Sequence, residues 1–371
     1  MKKEIILSFA FCLLLAGFMA LSIAKPDNTF SETENRVLAQ KPEITVNAIA
    51  AGEFESGYEE YLTDQFPWRD QWVGFKTSIE RLLLKQESKD IYFGKDGYLI
   101  EKHTGAFDTE QAARNVEELA EFVQKNDSRA NISIIIAPTA VEVLRDKLPP
   151  LAPVSGQKDY LAKLEAAVPS EIWVDAARAL MAHCDEDIFY KTDHHWTTLG
   201  AFYVYQAWRE DLGCNVPQMS EYDIQTVTDC FEGTIQSKLG VRTQKDSIEL
   251  FVSRKQIPVS IEGREDADAL YDFSALEGKD KYAVFLGGNQ PFMSIATHAA
   301  VGKRLLVIKD SYANCFIPFL AYDFDEIDVI DLRYTKMRMS EMLAAENYSD
   351  ILILYNVAGF AEDGNIFKLN Q

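Results

Sequence analysis

Short runs dominated by apolar residues recur along the chain: Ile132 to Ala137, Leu305-Leu306-Val307-Ile308, Ile327-Asp328-Val329-Ile330 and Ile351-Leu352-Ile353-Leu354. Runs of this length without polar alternation are the pattern of strands buried on both faces, and so of parallel strands. Ile172-Trp173-Val174-Asp175 reads as a further short strand. Helical spacing fills the intervals: Thr109 to Lys125, Asp159 to Ala167, Leu199 to Trp208 behind a cap at Thr197 or Thr198, Phe316 to Ala321, and the stretch containing Met342 and Leu343. The last seventy residues make two βαβ units, which predicts an α/β fold, a three-layer sandwich around a parallel central sheet.

Elsewhere the rhythm changes. From Cys214 to about Gly302 the pattern is of short alternating strands, among them Ile248 to Val252 and Tyr282 to Leu286, with Gly287-Gly288-Asn289 as a turn. This reads as a β-rich segment at about 215–300 inserted into the α/β domain. Residues Tyr58 to Gln86 place Phe75, Ile79, Leu82 and Leu83 at helical spacing, broken near the start by Asp64 to Arg69, and Ile91 to Ile100 forms a hairpin around Lys95-Asp96-Gly97. The expected organisation is a leader at 1–24, a membrane-proximal linker with a helical and hairpin segment at 25–105, and the α/β domain at 106–371.

Ile5 to Ala24 is uncharged and mostly apolar behind Lys2-Lys3, long enough as a helix to cross a bilayer core of about 30 Å. A cleaved signal peptide, with Ser22-Ile23-Ala24 before the cut, and a retained anchor both fit. Either sends the rest of the chain out of the cytosol, to an extracytoplasmic domain on the membrane or a secreted one. A net charge of −21 argues against nucleic acid and against anionic lipid bound through net charge. No GxxxxGK[ST] or GxGxxG motif occurs, so no nucleotide cofactor is expected. Of 5 cysteines, Cys12 lies in the leader; Cys214 and Cys230 are the best-separated pair for a disulfide, with free buried thiols the alternative.

Chemistry concentrates in Asp193-His194-His195-Trp196 and Lys309-Asp310-Ser311-Tyr312. A carboxylate near an imidazole, with a serine after a buried strand, supplies the parts of a nucleophilic serine site. Ser311, Arg333 and Asn356 each follow an apolar strand, and in an open parallel sheet ligands bind beyond the carboxyl ends of the strands. Asp193 would orient His195, His195 would take the Ser311 proton, and Asn356 would donate to a developing oxyanion. Ser311 also suits a helix N-cap, a role compatible with attack. Asp193, His194 and His195 lack the spaced His pair or further ligand that a metal site needs.

These motifs, with Phe30-Ser31-Glu32-Thr33-Glu34-Asn35-Arg36 and Tyr355-Asn356, resemble the DHHW protein family, and more distantly the periplasmic alginate O-acetyltransferases of the SGNH-hydrolase superfamily. The resemblance implies an SGNH/flavodoxin-like fold, circularly permuted so that the Asp-His pair precedes the serine. It assigns Asp193, His195 and Ser311 to catalysis, and Asn356, Tyr312 and Arg333 to the oxyanion or substrate; His194 falls on the unmatched position of the pattern and, as its side chain diverges from that of His195, packs or binds substrate. It also implies acetyl transfer to a polysaccharide hydroxyl, with a separate membrane acyltransferase as donor partner. Lys309 stands where the family pattern has glycine. An acetyl esterase, a catalytically silent glycan-binding domain and a scaffold for a membrane complex are the competing expectations.

Overall fold

Leu305, Leu306, Val307 and Ile308 are all fully buried, which requires cover on both faces of the sheet they belong to. In the computed structural model, which describes residues 2–31, 36–154, 156–255, 259–261, 264–265, 269–297, 299 and 301–371, they form the interior strand Arg304–Lys309, third from one edge of a sheet of seven described strands. Its neighbours, Glu326–Ile330 and Asp350–Asn356, are both parallel to it, and Asn131–Ala137 is parallel to Asp350–Asn356. Alternate residues serve two hydrophobic cores. Leu305, Val307, Leu352, Leu354 and Ile135 join one with Phe202, Tyr205 and Phe319; Leu306, Ile308, Ile351, Ile353 and Ile134 join the other with Leu119, Phe122 and Phe360.

The pairing Lys309 with Leu354, Ile308 with Ile330, and Asn356 with Ala137 brings four strand ends to one edge. Ser311, Arg333 and Asn356 therefore leave the sheet at the same edge.

The region between Cys214 and Gly302 is not wholly separate from this sheet. Among the described residues Tyr222–Phe231 and Asp246–Ser253 pair only with each other, but Phe292–Ala296 adds antiparallel to Glu326–Ile330, and Ser260–Ile261 and Arg264–Glu265 follow beyond it. Two expected strands are corrected. Ile172 to Asp175 makes a single bridge, Trp173 to Ile134, because Ser170–Ile172 is a 3₁₀ turn and Asp175 already caps the helix Ala176–Met181. Tyr282 to Leu286 is largely the 3₁₀ turn Lys281–Val284, closed by positive φ at Leu286, Gly287 and Gly288.

The chain divides into two units, Met1–Lys85 with Gln236–Arg242, and Gln86–Ile235 with Thr243–Gln371. The hairpin, Ile91–Phe93 with Leu99–Glu101, belongs to the larger unit. The smaller holds the helices Lys2–Ala24, Glu53–Asp64 and Arg69–Leu82, with the expected break between the last two. Of the linker motif starting at Phe30, Glu32 to Asn35 lie outside the described residues. Within this unit, Thr77 Oγ1 donates to the Leu239 carbonyl at 2.8 Å, and a Cβ on Gly74 would stand 2.2 Å from the Gly240 carbonyl oxygen. Cys214 and Cys230 are free thiols, as are Cys12, Cys184 and Cys315.

Candidate active site

Ser311 opens a 3₁₀ turn, Ser311–Cys315, directly after the strand Arg304–Lys309, and Asp310 caps it by accepting the Tyr312 N–H at 2.9 Å. The other oxygen of the same carboxylate accepts two bonds from Asn356, its N–H at 2.9 Å and its Nδ2 at 2.6 Å. Asn356 ends the adjacent strand and caps the helix Val357–Glu362 through a 2.8 Å bond from the Gly359 N–H. A Cβ at Gly359 would stand 2.6 Å from Asn356 Nδ2 and 2.8 Å from Asp310 Oδ2, so the position has no room for a side chain.

Asp193 to Trp196 lie on the loop entering the helix Thr198–Asp211, which Thr197 caps by accepting the Gly200 N–H. His195 Nδ1 lies 2.6 Å from Asp193 Oδ1, and its Nε2 lies 2.8 Å from Ser311 Oγ, across 116 residues of sequence. Asp193 is fixed from behind: Oδ1 accepts the His195 N–H at 3.1 Å, and Oδ2 accepts the N–H and hydroxyl of Thr234 at 2.8 and 3.0 Å. Tyr282 stacks on the His195 ring, centroids 3.9 Å apart and planes 12° from parallel, while its hydroxyl donates to the Ser311 carbonyl at 3.2 Å. Trp196 Nε1 donates to the Tyr312 carbonyl at 2.9 Å, which ties the loop to the serine turn.

Burial sets the charge state. It is the main cause that brings the His195 pKa down to about 4, aided by the adjacent His194 and opposed by Asp193. Burial would raise Asp193, but the two imidazoles and the Thr234 N–H outweigh it and hold the carboxyl well below the usual range. The resting pair at neutral pH is therefore a neutral imidazole hydrogen-bonded to a carboxylate, with Nδ1 carrying the proton and Nε2 free to accept the serine proton. Asp310 is pushed up to about 6, mainly by burial, against the pull of Arg333 and the N–H groups of Asn356 and Tyr312.

The sequence between residues 104 and 330 matches the family described as DHHW protein. The chain belongs to the DHHW family. A search of curated proteins returns no match. Among solved structures, a DHHW family protein from Eubacterium siraeum DSM 15702 is similar at 23% identity, covering 77% of this chain and 96% of that one with a TM-score of 0.64. Bacillus cereus PatB1 is similar at 18% identity, over 74% of this chain and 97% of that one with a TM-score of 0.61. The same protein with a sulfonyl adduct gives 19% identity, 75% and 99% coverage, and a TM-score of 0.60. These likenesses establish a shared fold.

Within the DHHW motif, the first histidine differs from the second. His194 is half-buried, its Nδ1 lies 2.8 Å from Thr234 Oγ1, and its ring leans on that of His195 with centroids 3.9 Å apart. The ligand-capable atoms of Asp193, His194 and His195 lie within 4.8 Å of one another, but the bonds to Thr234 and Ser311 draw on the same set. Tyr312 commits both donors elsewhere, its N–H to Asp310 and its hydroxyl to the His194 carbonyl at 2.6 Å. Arg333 follows its strand as expected and forms a two-point pair with Asp331, at 2.9 and 2.6 Å. Its charge is among those felt by both His195 and Asp310.

Lys309 is buried, with Nζ on Asn289 Oδ1 at 2.8 Å and Asn314 Oδ1 at 2.5 Å. Burial lowers it to about 8. Thr234 and Tyr282 escape sequence reasoning, Thr234 because it sits beside no recognisable motif and Tyr282 because it reads as the first residue of an alternating strand where the chain forms a 3₁₀ turn. Gly233 is the one local signal for Thr234: a Cβ there would lie 2.4 Å from the Asp193 Cβ.

Proposed function

We propose that this protein is an extracytoplasmic serine-dependent acyltransferase that places acetyl groups on hydroxyls of a cell-surface polysaccharide through an acyl-Ser311 intermediate. The observation that carries the reading is the unbroken hydrogen-bond chain from Asp193 through His195 to Ser311. Ser311 Oγ attacks the acyl carbon while its proton passes to His195 Nε2, and Asp193 holds the Nδ1 proton and stabilises the imidazolium. The tetrahedral intermediate collapses as His195 protonates the departing oxygen, which leaves the ester on Ser311. In the second half, a glycan hydroxyl attacks that ester, loses its proton to Nε2, and Ser311 Oγ regains it.

The Ser311 N–H opens its turn and so has no intrahelical partner, which makes it one donor for the oxyanion. Asn356 is the second, through the Nδ2 hydrogen not held by Asp310; His194 and Arg333 contact the substrate, and Tyr312 keeps the His194 carbonyl in place. The sulfonyl adduct named for PatB1 fits a fold of this kind carrying a reactive nucleophile, a fold-level analogy. The order of Asp193 and His195 before Ser311, and the cores on both sheet faces, support a permuted three-layer SGNH-like domain. The apolar helix Lys2–Ala24 supports an anchored domain, and a separate membrane acyltransferase is the proposed acyl donor.

The test is Ser311→Ala in the full chain. Turnover of an activated acetyl ester should fall by about 10⁴-fold or more; unchanged turnover would remove Ser311 as nucleophile. Following labelled acetate to water or to an added oligosaccharide separates esterase from transferase.

A further inference from the structure

The helix Arg69–Leu82 packs by its small residues. Gly74 and Thr77 meet Gly240 and Leu239, while Trp68, Trp72, Phe75, Ile79, Leu82 and Leu83 run along the outside at helical spacing. Trp68 is 56% exposed, Phe75 58% and Leu82 76%. This inverts the usual arrangement, in which the large apolar stripe faces the core. Such a stripe needs a cover.

The occupant is indicated by the helix Lys2–Ala24 of the same unit. Its Phe18 ring stacks on Phe66 at 5.5 Å and meets Trp68 and Trp72 at 6.3 and 6.2 Å. Phe18 lies six residues before the end of that helix, about 9 Å along its axis at 1.5 Å per residue. Interfacial helices bury their apolar faces about 5–10 Å into the boundary between headgroups and acyl chains, where tryptophan is enriched. We infer that the helix Arg69–Leu82 lies in the outer membrane–water interface, its Trp68 to Leu83 stripe inserted among lipid headgroups and acyl chains. This rests on the Lys2–Ala24 helix being retained as a membrane anchor. The charges flanking the stripe, Arg69, Asp70, Lys76, Glu80 and Arg81, are of both signs, and the chain carries −21 overall, so insertion is driven by apolar burial rather than by anionic lipid.

The experiment uses the full chain reconstituted into phosphatidylcholine vesicles doped with lipid doxyl-labelled near the headgroup or deep in the acyl chain. The shallow label should quench the tryptophan emission more than the deep one, and the difference should disappear in W68F/W72F, which keeps Trp173, Trp196 and Trp208. Adding phosphatidylglycerol or salt should leave the difference unchanged. Alkaline extraction reads the anchor separately. A chain that stays in the vesicle pellet but shows no quenching from Trp68 or Trp72, including one found as a dimer with those residues shielded, overturns the inference and leaves the anchor standing. A chain that is extracted overturns both. A Trp72→Ser/Phe75→Ser variant should lose quenching while keeping full turnover of a water-soluble acetyl ester, which shows that the catalytic unit is intact.

Discussion

With its pKa brought down to about 4, His195 is neutral at pH 7. Protonation blocks acceptance of the Ser311 proton, so kcat/KM should rise with pH through the His195 titration and be flat above about pH 6. A pH–rate profile with its limb near 7 would contradict this. Asp193→Asn presents an amide to Nδ1 and favours the tautomer with its proton on Nε2; turnover should drop roughly 10³–10⁴-fold with little change in KM. Asp310→Asn replaces an acceptor of three N–H bonds by a group with one oxygen. Urea unfolding should register a loss of about 1–3 kcal/mol, with a drop in rate as the serine turn loosens. Asp193, His195 and Ser311 were legible in sequence because spacing and residue type identify them. Tyr282, whose ring covers His195, was not, because its segment alternates like a strand while local turn geometry folds it into a 3₁₀ turn.

At the level of elements, the four parallel strands were readable because burial on both faces leaves continuous apolar runs. The segment Ile172 to Asp175 has the same composition but only one bridge, since local capping by Asp175 competes with the ladder. The antiparallel strand Phe292–Ala296 escaped because membership of a sheet depends on a partner far away in sequence, here Glu326–Ile330. The loop holding Asp193 is backed by Gly233, where a Cβ would meet the Thr192 carbonyl oxygen at 2.5 Å and Asp193 Cα at 2.6 Å. Both obstacles are backbone and cannot swing aside. Gly233→Ala should cost about 1–3 kcal/mol of stability and lower kcat at least tenfold, and Gly233→Ser should do no better; near-normal kcat in either would show that Asp193 tolerates displacement.

The partition of the whole molecule does not follow a single cut in the chain. Residues Gln236–Arg242 are grouped with the N-terminal unit, where Leu239 is buried and bonded to Thr77. Helical spacing at Phe75 and Ile79 revealed the Arg69–Leu82 helix but not its partner, because Gly74 and Thr77 carry no hydrophobic signal. A chain started at Gln86 would leave 236–242 without its helix, and limited proteolysis should cut there first while the full chain resists. Thiol titration should count five cysteines under denaturing conditions, with Cys315, buried and raised to about 12, silent in the native protein.

Asp310 gives the architecture a property that matters for transplantation and for design. One carboxylate clamps the turn after one strand to the cap of the helix after the next, and Gly359 leaves the space in which it does so. The serine turn is thus not a portable loop. Grafting residues 309–315 onto another sheet would carry the serine but not its alignment; the smallest transferable unit pairs that turn with residues 354–359 on a neighbouring parallel strand.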